Sequence, residues 1–99
     1  MNLGSIISSA RKGKGIKQGV LANELDISQT YLSLIERNKK EPNISLLKKI
    51  SKSLEIPLPL IFFFSLEEED LPLNKRDIFN DLFPSIKDLI RSHFIQEND

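Results

Sequence analysis

Apolar residues near the start of the chain recur at three- and four-residue steps, which is the period of one face of an α-helix. They are Leu3, Ile6, Ile7 and Ala10. This spacing predicts a first helix that runs to about Lys12, and Gly13 and Gly15 are expected to end it.

Two shorter helices with a tight turn between them are predicted next. The first begins near Gln18 and is interrupted at Asp26, and its inward-facing residues are Leu21, Ala22 and Leu25. The second covers residues 28–37, with Ser28 as an N-cap because its hydroxyl can accept a hydrogen bond from the first turn. Leu32 and Ile35 form its inner face. Two short helices joined in this way are the requirement of a helix-turn-helix, whose second helix can enter a DNA major groove about 12 Å wide.

A fourth helix is predicted after Pro42, with Asn43 as its N-cap. Its apolar positions at helical spacing are Ile44, Leu47, Ile50 and Leu54. The Pro57-Leu58-Pro59 sequence breaks it, and a fifth helix is expected from about Leu58 to Phe64 or Leu66, because Pro is tolerated in a first helical turn. No segment alternates as a strand does, so the sequence predicts an all-α fold.

The C-terminal part of the chain is predicted to be a connector followed by an amphipathic segment. Residues 67–74 are acidic and contain a Pro, and from Lys75 onward an apolar helical stripe follows, with Pro84 either kinking the helix or starting a second one. The stripe contains Ile78, Phe79, Leu82, Phe83, Ile86, Leu89 and Ile90. Since the adjacent Phe62, Phe63 and Phe64 exceed what one helix face buries, at least one of them is expected to pack on this segment.

The composition narrows the class of protein further. The chain has 99 residues and no Cys, which indicates one small domain without disulfides, Cys-based zinc sites or a thiol nucleophile. Neither an acid–base pair, nor metal-ligand spacing, nor a phosphate-binding Gly loop is visible, so no enzyme activity, cofactor or metal is predicted. Without an apolar stretch approaching roughly 20 residues or a secretory signal, we expect a cytoplasmic protein with no membrane partner.

The formal net charge of zero conceals a division along the chain. Residues 1–64 carry ten Lys and Arg against five Asp and Glu, whereas residues 65–99 carry four against nine. This asymmetry is typical of a basic functional module followed by an acidic segment.

The segment from Gln18 to Glu36 resembles the Cro and Xre class of phage-repressor-type helix-turn-helix regulators, and most of all their stand-alone bacterial members. The motifs that carry the resemblance are Arg11, Gln18-x-x-Leu21-Ala22, Ser28-x-x-Tyr31-Leu32-Ser33-x-Ile35-Glu36 and Pro42-Asn43-Ile44. The resemblance covers roughly residues 3–64 and implies a five-helix lambda-repressor-like domain, here with a C-terminal helical extension. Three positions depart from the family: Lys17 replaces a Ser or Thr cap, and Asp26 and Asn38 replace turn glycines.

The resemblance also implies roles for individual residues. Gln29, Thr30 and Ser33 look like the base-reading face, with Leu34 as a contact to a thymine methyl. The residues that would face phosphates are Lys17, Gln18, Ser28, Tyr31, Asn38, Lys39 and Lys40. Arg11 and Glu36 resemble an ion pair that ties the first helix to the end of the recognition helix.

These observations favour a sequence-specific regulator of transcription, a repressor that binds double-stranded DNA at a palindromic operator as a homodimer. In that interpretation residues 1–66 bind DNA, residues 67–74 are a linker, and residues 75–99 form the dimer through the apolar stripe. The alternative is an antitoxin or anti-regulator that acts mainly through a regulatory protein partner bound to the same C-terminal segment.

Overall fold

The computed structural model describes residues 1–94. Its helices are α1 (Leu3–Gly13), α2 (Gln18–Glu24), α3 (Gln29–Glu36), α4 (Ile44–Leu54), α5 (Leu58–Ser65) and α6 (Arg76–Phe94). Two short 3-10 turns, Glu68–Asp70 and Leu73–Lys75, connect α5 to α6. No strand occurs between residues 1 and 94, which confirms the all-α prediction. Residues 95–99 of the predicted C-terminal segment lie outside the described residues.

The predicted caps start α3 and α4. Ser28 Oγ accepts a hydrogen bond from the backbone N–H of Tyr31 at 3.0 Å. Asn43 Oδ1 accepts one from the N–H of Leu46 at 2.8 Å. By contrast, Lys17 at the start of α2 makes no side-chain cap. The sequence therefore specifies where the recognition helix begins more firmly than where α2 begins.

Non-glycine residues in the left-handed region shape the turns. Asp26 has φ of 59° and Asn38 has φ of 58°, as the sequence predicts for residues that replace turn glycines. Glu55, at φ 57°, does the same after α4, where the sequence predicts only a break at Pro57-Leu58-Pro59.

One core holds α1 to α5 together. Its fully buried side chains are Ile7, Leu21, Leu25, Leu32, Ile35, Ile50, Leu54, Ile56, Ile61 and Phe64. Of the four apolar positions at helical spacing in α4, Ile44 is 56% exposed and does not join the core, whereas Leu46, which is not among them, is buried. Ile44 is the first residue of α4.

Helices α1 and α3 approach each other at Gly4. A Cβ at this position would lie 2.7 Å from the carbonyl oxygen of Glu36 and closer still to that of Ile35. The backbone N–H of Gly4 donates to Asn38 Oδ1 at 2.9 Å, and Asn38 Nδ2 donates to Asn2 Oδ1 at 2.6 Å. Only Gly fits so close to the end of the recognition helix, and Asn38 secures the contact.

Helix α6 docks on α5 through aromatic rings. The Phe63 and Phe83 ring centroids lie 4.8 Å apart, and those of Phe79 and Phe83 lie 4.2 Å apart. The expectation that one Phe of residues 62–64 packs on the C-terminal segment is thereby confirmed. Pro84 lies inside α6, which continues past it as one helix rather than two. Pro84 has no N–H to donate to the carbonyl oxygen of Asn80. Because both residues are exposed, water can donate to that oxygen instead.

Candidate nucleic-acid interface

The outer face of α3 and the start of α2 form a shallow polar depression. It is lined by Gln18, Gln29, Thr30, Ser33 and Arg37. The residues at positions 29, 33 and 37 follow one another at four-residue steps, so they share one face of α3. Three of the four predicted base-reading residues therefore lie together on a surface that is open to solvent.

Arg37 was not among the residues that the sequence predicted for this surface. Its side chain is exposed, and its Nε donates to the carbonyl oxygen of Ser33 at 3.3 Å. The signal that could have identified it is its four-residue spacing from Ser33. Leu34, the fourth predicted reader, is half-buried and does not line the depression.

A buried ion pair supports this surface from behind. Arg11 Nε donates to Glu36 Oε2 at 2.8 Å, and a second guanidinium nitrogen donates to Oε1 at 2.9 Å. The side chains are only 10% and 5% exposed. Arg11 also donates to the carbonyl oxygen of Ile16 at 2.9 Å. The two-point contact fixes the end of α3 against α1, where the resemblance implied such a pair.

The ion pair extends to the surface through two glutamines. Gln18 Nε2 donates to Glu36 Oε1 at 3.1 Å, and Gln29 Nε2 donates to Gln18 Oε1 at 3.4 Å. The side chain of Gln18, predicted to face a phosphate, is thus engaged within the protein. It connects the buried carboxylate to the exposed amide of Gln29.

The other predicted phosphate contacts divide into two groups. Lys17, Lys39 and Lys40 are exposed. Lys17 directly precedes α2, and the other two follow α3. Ser28 uses a lone pair in the cap of α3, which leaves its hydroxyl hydrogen for a phosphate.

Tyr31 is half-buried, whereas Asn38 is exposed but its side chain is engaged in hydrogen bonds within the protein. Tyr31 is half-buried in a groove between the turn after α2 and the start of α4. Both polar groups of Asn38 bond to Gly4 of α1 and to Asn2, its N-cap, which is a different role from the phosphate contact that the resemblance implied. The left-handed backbone and the side-chain bonds together make Asn38 a structural residue of the turn.

A comparison with known families decides what this arrangement is. The family model described as "Helix-turn-helix" matches residues 7–61, which include α2, α3 and the turn between them. The chain belongs to the Cro/C1-type helix-turn-helix family. The members and neighbours found for it are transcriptional regulators and phage repressors.

Individual helix-turn-helix proteins resemble different lengths of the chain. The HTH-type transcriptional regulator SlrR of Bacillus subtilis (strain 168) is 43% identical over 61 residues, which cover 61% of this chain and 40% of SlrR. The DNA-binding domain of the P22 c2 repressor is 29% identical with a TM-score of 0.60, covering 63% of this chain and 82% of that domain. The chain thus spans less than half the length of SlrR.

A structure described as a SinR protein/SinI protein complex resembles a longer part of this helix-turn-helix protein. The identity is 30% and the TM-score 0.59, with 84% of this chain and 80% of that chain covered. Within residues 1–94, no helix has both the length and the apolar character needed to cross a bilayer.

The predicted C-terminal interface separates into an inner and an outer part. Phe83 is buried and Phe79 half-buried against the aromatic cluster of the same chain, and Ile90 is half-buried. The outer side chains remain exposed by 42% to 63%: Ile78, Leu82, Ile86 and Leu89. We call these four residues the outer face of α6. The sequence predicts that the whole stripe forms the interface. In the structure, the inner part of the stripe instead holds α6 against its own domain.

Proposed function

We propose that the chain binds a specific sequence of double-stranded DNA, with α3 in the major groove, and represses transcription there. The observation that carries this proposal is the polar depression on α3, which is held in place by the buried Arg11–Glu36 pair. Base reading requires side chains fixed relative to the duplex, and a rigid recognition helix supplies that fixity. The membership of the chain in a family of transcriptional regulators supports the same conclusion.

The chemistry of the exposed side chains indicates which of them would contact bases and which would contact phosphates. Gln29 can pair with adenine through one donor and one acceptor, while Thr30 and Ser33 suit several bases. Lys39 and Lys40, which follow α3, would contact phosphates and set the register of the helix without reading sequence.

Comparing a reader variant with a phosphate-contact variant tests this division. After selection of the preferred site from random DNA, Gln29→Ala should lose roughly 1–3 kcal/mol for that site and much less for unrelated DNA. Lys39→Ala should weaken both and flatten the slope of log affinity against log salt by about 0.9. An unchanged specific-to-nonspecific ratio in Gln29→Ala would contradict the base-reading role, and an unchanged slope in Lys39→Ala would remove that lysine from the interface.

We further propose that the outer face of α6 joins two copies into a homodimer on a palindromic operator. Its four large apolar side chains are exposed on a helix that is fixed to its domain by the Phe63–Phe83 contact. An apolar patch of this kind normally marks an interface. A symmetric pair would place two α3 helices on half-sites about 34–36 Å apart, as adjacent major grooves require.

A charge placed in this face tests the dimer in the full chain. Leu82→Asp should convert a dimer to a monomer in sedimentation equilibrium and lower affinity for a two-site operator more than for a half-site. Leu73→Asp is the matched control, because Leu73 is 79% exposed on the connector and outside the outer face of α6. A dimer that persists in Leu82→Asp would contradict this interface.

The same face also favours a second candidate function, in which a regulatory protein binds α6. The similar structure of a SinR protein/SinI protein complex contains two different proteins, and 84% of the present chain resembles it. Under this reading the wild-type chain is a monomer until the other protein is added, and Leu82→Asp abolishes the mixed complex rather than a homodimer.

A further inference from the structure

One edge of the outer face of α6 is open to solvent, and its charged residues are acidic. This edge consists of Asp81, Ser85, Asp88 and Ser92, all of them exposed. They follow one another at steps of four, three and four residues, so they form a line along the helix beside the exposed apolar side chains. We call these four residues the acidic edge of α6.

We infer that the acidic edge selects the occupant of the outer face of α6. A helix of another protein that carries Lys or Arg along its matching edge binds there in preference to a second copy of the chain. This inference rests on the docking role proposed for the outer face of α6, and it adds the chemistry that its partner must have.

The opposite edge of the outer face is closed by the domain itself. Phe79 and Phe83 lie on that side, and the ring of Phe83 is 4.8 Å from the ring of Phe63 on α5. Lys87 follows Phe83 by one helical turn, and its ammonium lies 5.2 Å from the centre of the Phe83 ring. This lysine therefore belongs to the docked side of α6, and the acidic edge is the edge that an incoming helix meets.

The carboxylates of the acidic edge are not neutralised within residues 1–94. Neither Asp81 nor Asp88 forms a salt bridge with another residue of that range. No Lys or Arg lies among the four residues of the edge. The two carboxylates are two helical turns apart, about 10 Å along α6, so one docked helix would meet both.

A second copy matches the apolar side chains of the outer face but not its charges. Two copies related by a two-fold axis use the same face twice, so their α6 helices run parallel or antiparallel. In an antiparallel pair the like edges lie side by side, which brings Asp81 of one copy near Asp88 of the other. In a parallel pair the acidic edge would face the side of α6 on which the other copy's α5 is docked.

A partner with a basic edge gains at the contacts where a second copy loses. An exposed ion pair strengthens association by up to about fivefold, and a like-charge pair weakens it to a similar extent. The antiparallel pair contains two such contacts, because each copy contributes both carboxylates. Changing both contacts from repulsion to attraction should therefore tighten binding by roughly 5- to 50-fold at low salt. The repulsion between like edges is what makes the face selective.

A charge exchange in the full chain supplies a probe with a basic edge. Asp81→Lys with Asp88→Lys changes the sign of the edge and leaves the apolar side chains in place. Mixed with a labelled wild-type chain without DNA, it should form mixed dimers roughly 5- to 50-fold tighter than wild-type homodimers in sedimentation equilibrium. The preference should shrink at high salt. Glu68→Lys with Glu69→Lys, the same charge change at exposed positions of the connector, is the matched control and should give no preference.

The outcomes separate the inference from the function on which it rests. A mixture that forms no dimer of any kind would overturn the docking role of the outer face of α6, and the inference with it. Mixed dimers no tighter than wild-type homodimers would overturn the role of the acidic edge alone and leave a second copy as the occupant. An equal preference in the Glu68 and Glu69 control would also overturn that role, because net charge rather than the edge would then select the partner.

Discussion

Removing the carboxylate of Glu36 should destabilise the domain more than removing any exposed charge. In Glu36→Ala, the guanidinium of Arg11 stays in a site where its side chain is 10% exposed, and it keeps only the carbonyl of Ile16 as an acceptor. Breaking a buried pair from one side costs roughly 3–5 kcal/mol, because the remaining charge is left without compensation. For a domain of this size that corresponds to a fall in Tm of about 12–40 °C.

The free energy of unfolding, measured by urea titration with far-UV circular dichroism, gives the comparison directly. Lys14→Met is the control, because Lys14 pairs with Glu55 at 3.3 Å where the Glu55 side chain is 79% exposed. An exposed pair of this kind contributes about 0–1 kcal/mol. A Glu36→Ala variant that loses no more stability than Lys14→Met would refute the reasoning, since burial would then add nothing to the pair.

Three further variants or measurements test contacts elsewhere in the chain. Gly4→Ala should lower the free energy of unfolding by about 1–3 kcal/mol through overpacking, because its Cβ would lie 2.7 Å from a carbonyl oxygen of α3, whereas Ser5→Ala, at an exposed position of α1, should have little effect. Phe83→Ala should speed hydrogen exchange in α6 and leave α1 to α5 protected, because it removes the ring that docks α6 on α5; equal acceleration throughout would contradict a locally docked helix. Asp70 should titrate below the ordinary range of Asp in NMR spectra, since the backbone N–H of Glu67 donates to it at 2.8 Å and lowers its pKa. The stabilisation from this contact therefore persists at a pH where an ordinary Asp is already protonated, and it is lost as the pH falls through the lowered pKa.

The parts of the fold that depend on neighbours in sequence could be predicted without the structure. Helical spacing of apolar residues predicts α1 to α5, and the caps of α3 and α4 follow from the chemistry of Ser28 and Asn43. Asp26 and Asn38 take the left-handed backbone that their residue types tolerate. In each case a few consecutive residues contain all the information.

Contacts between distant parts of the chain could not be predicted in this way. The side chain of Asn38 bonds to Gly4 and Asn2, which lie 34 and 36 positions earlier in the sequence. Only the packing of α1 against α3 shows that this side chain is occupied. The division of α6 into an inner and an outer part depends on which side meets Phe63, which a repeating apolar pattern does not specify. The connection from Glu36 through Gln18 to Gln29 likewise links the two ends of α3 through the first residue of α2.

That connection also explains what an ion pair provides here that an apolar pair would not. Replacing both partners of a buried pair with apolar residues of similar volume is often neutral or stabilising, so stability alone gives no reason for Arg11 and Glu36. Glu36, however, also accepts from Gln18, whose other end accepts from Gln29 on the surface. Arg11→Met with Glu36→Leu should therefore keep the domain folded while releasing the amide of Gln29. A double variant that is stable and still discriminates adenine would separate the two roles and leave the pair with a structural function only.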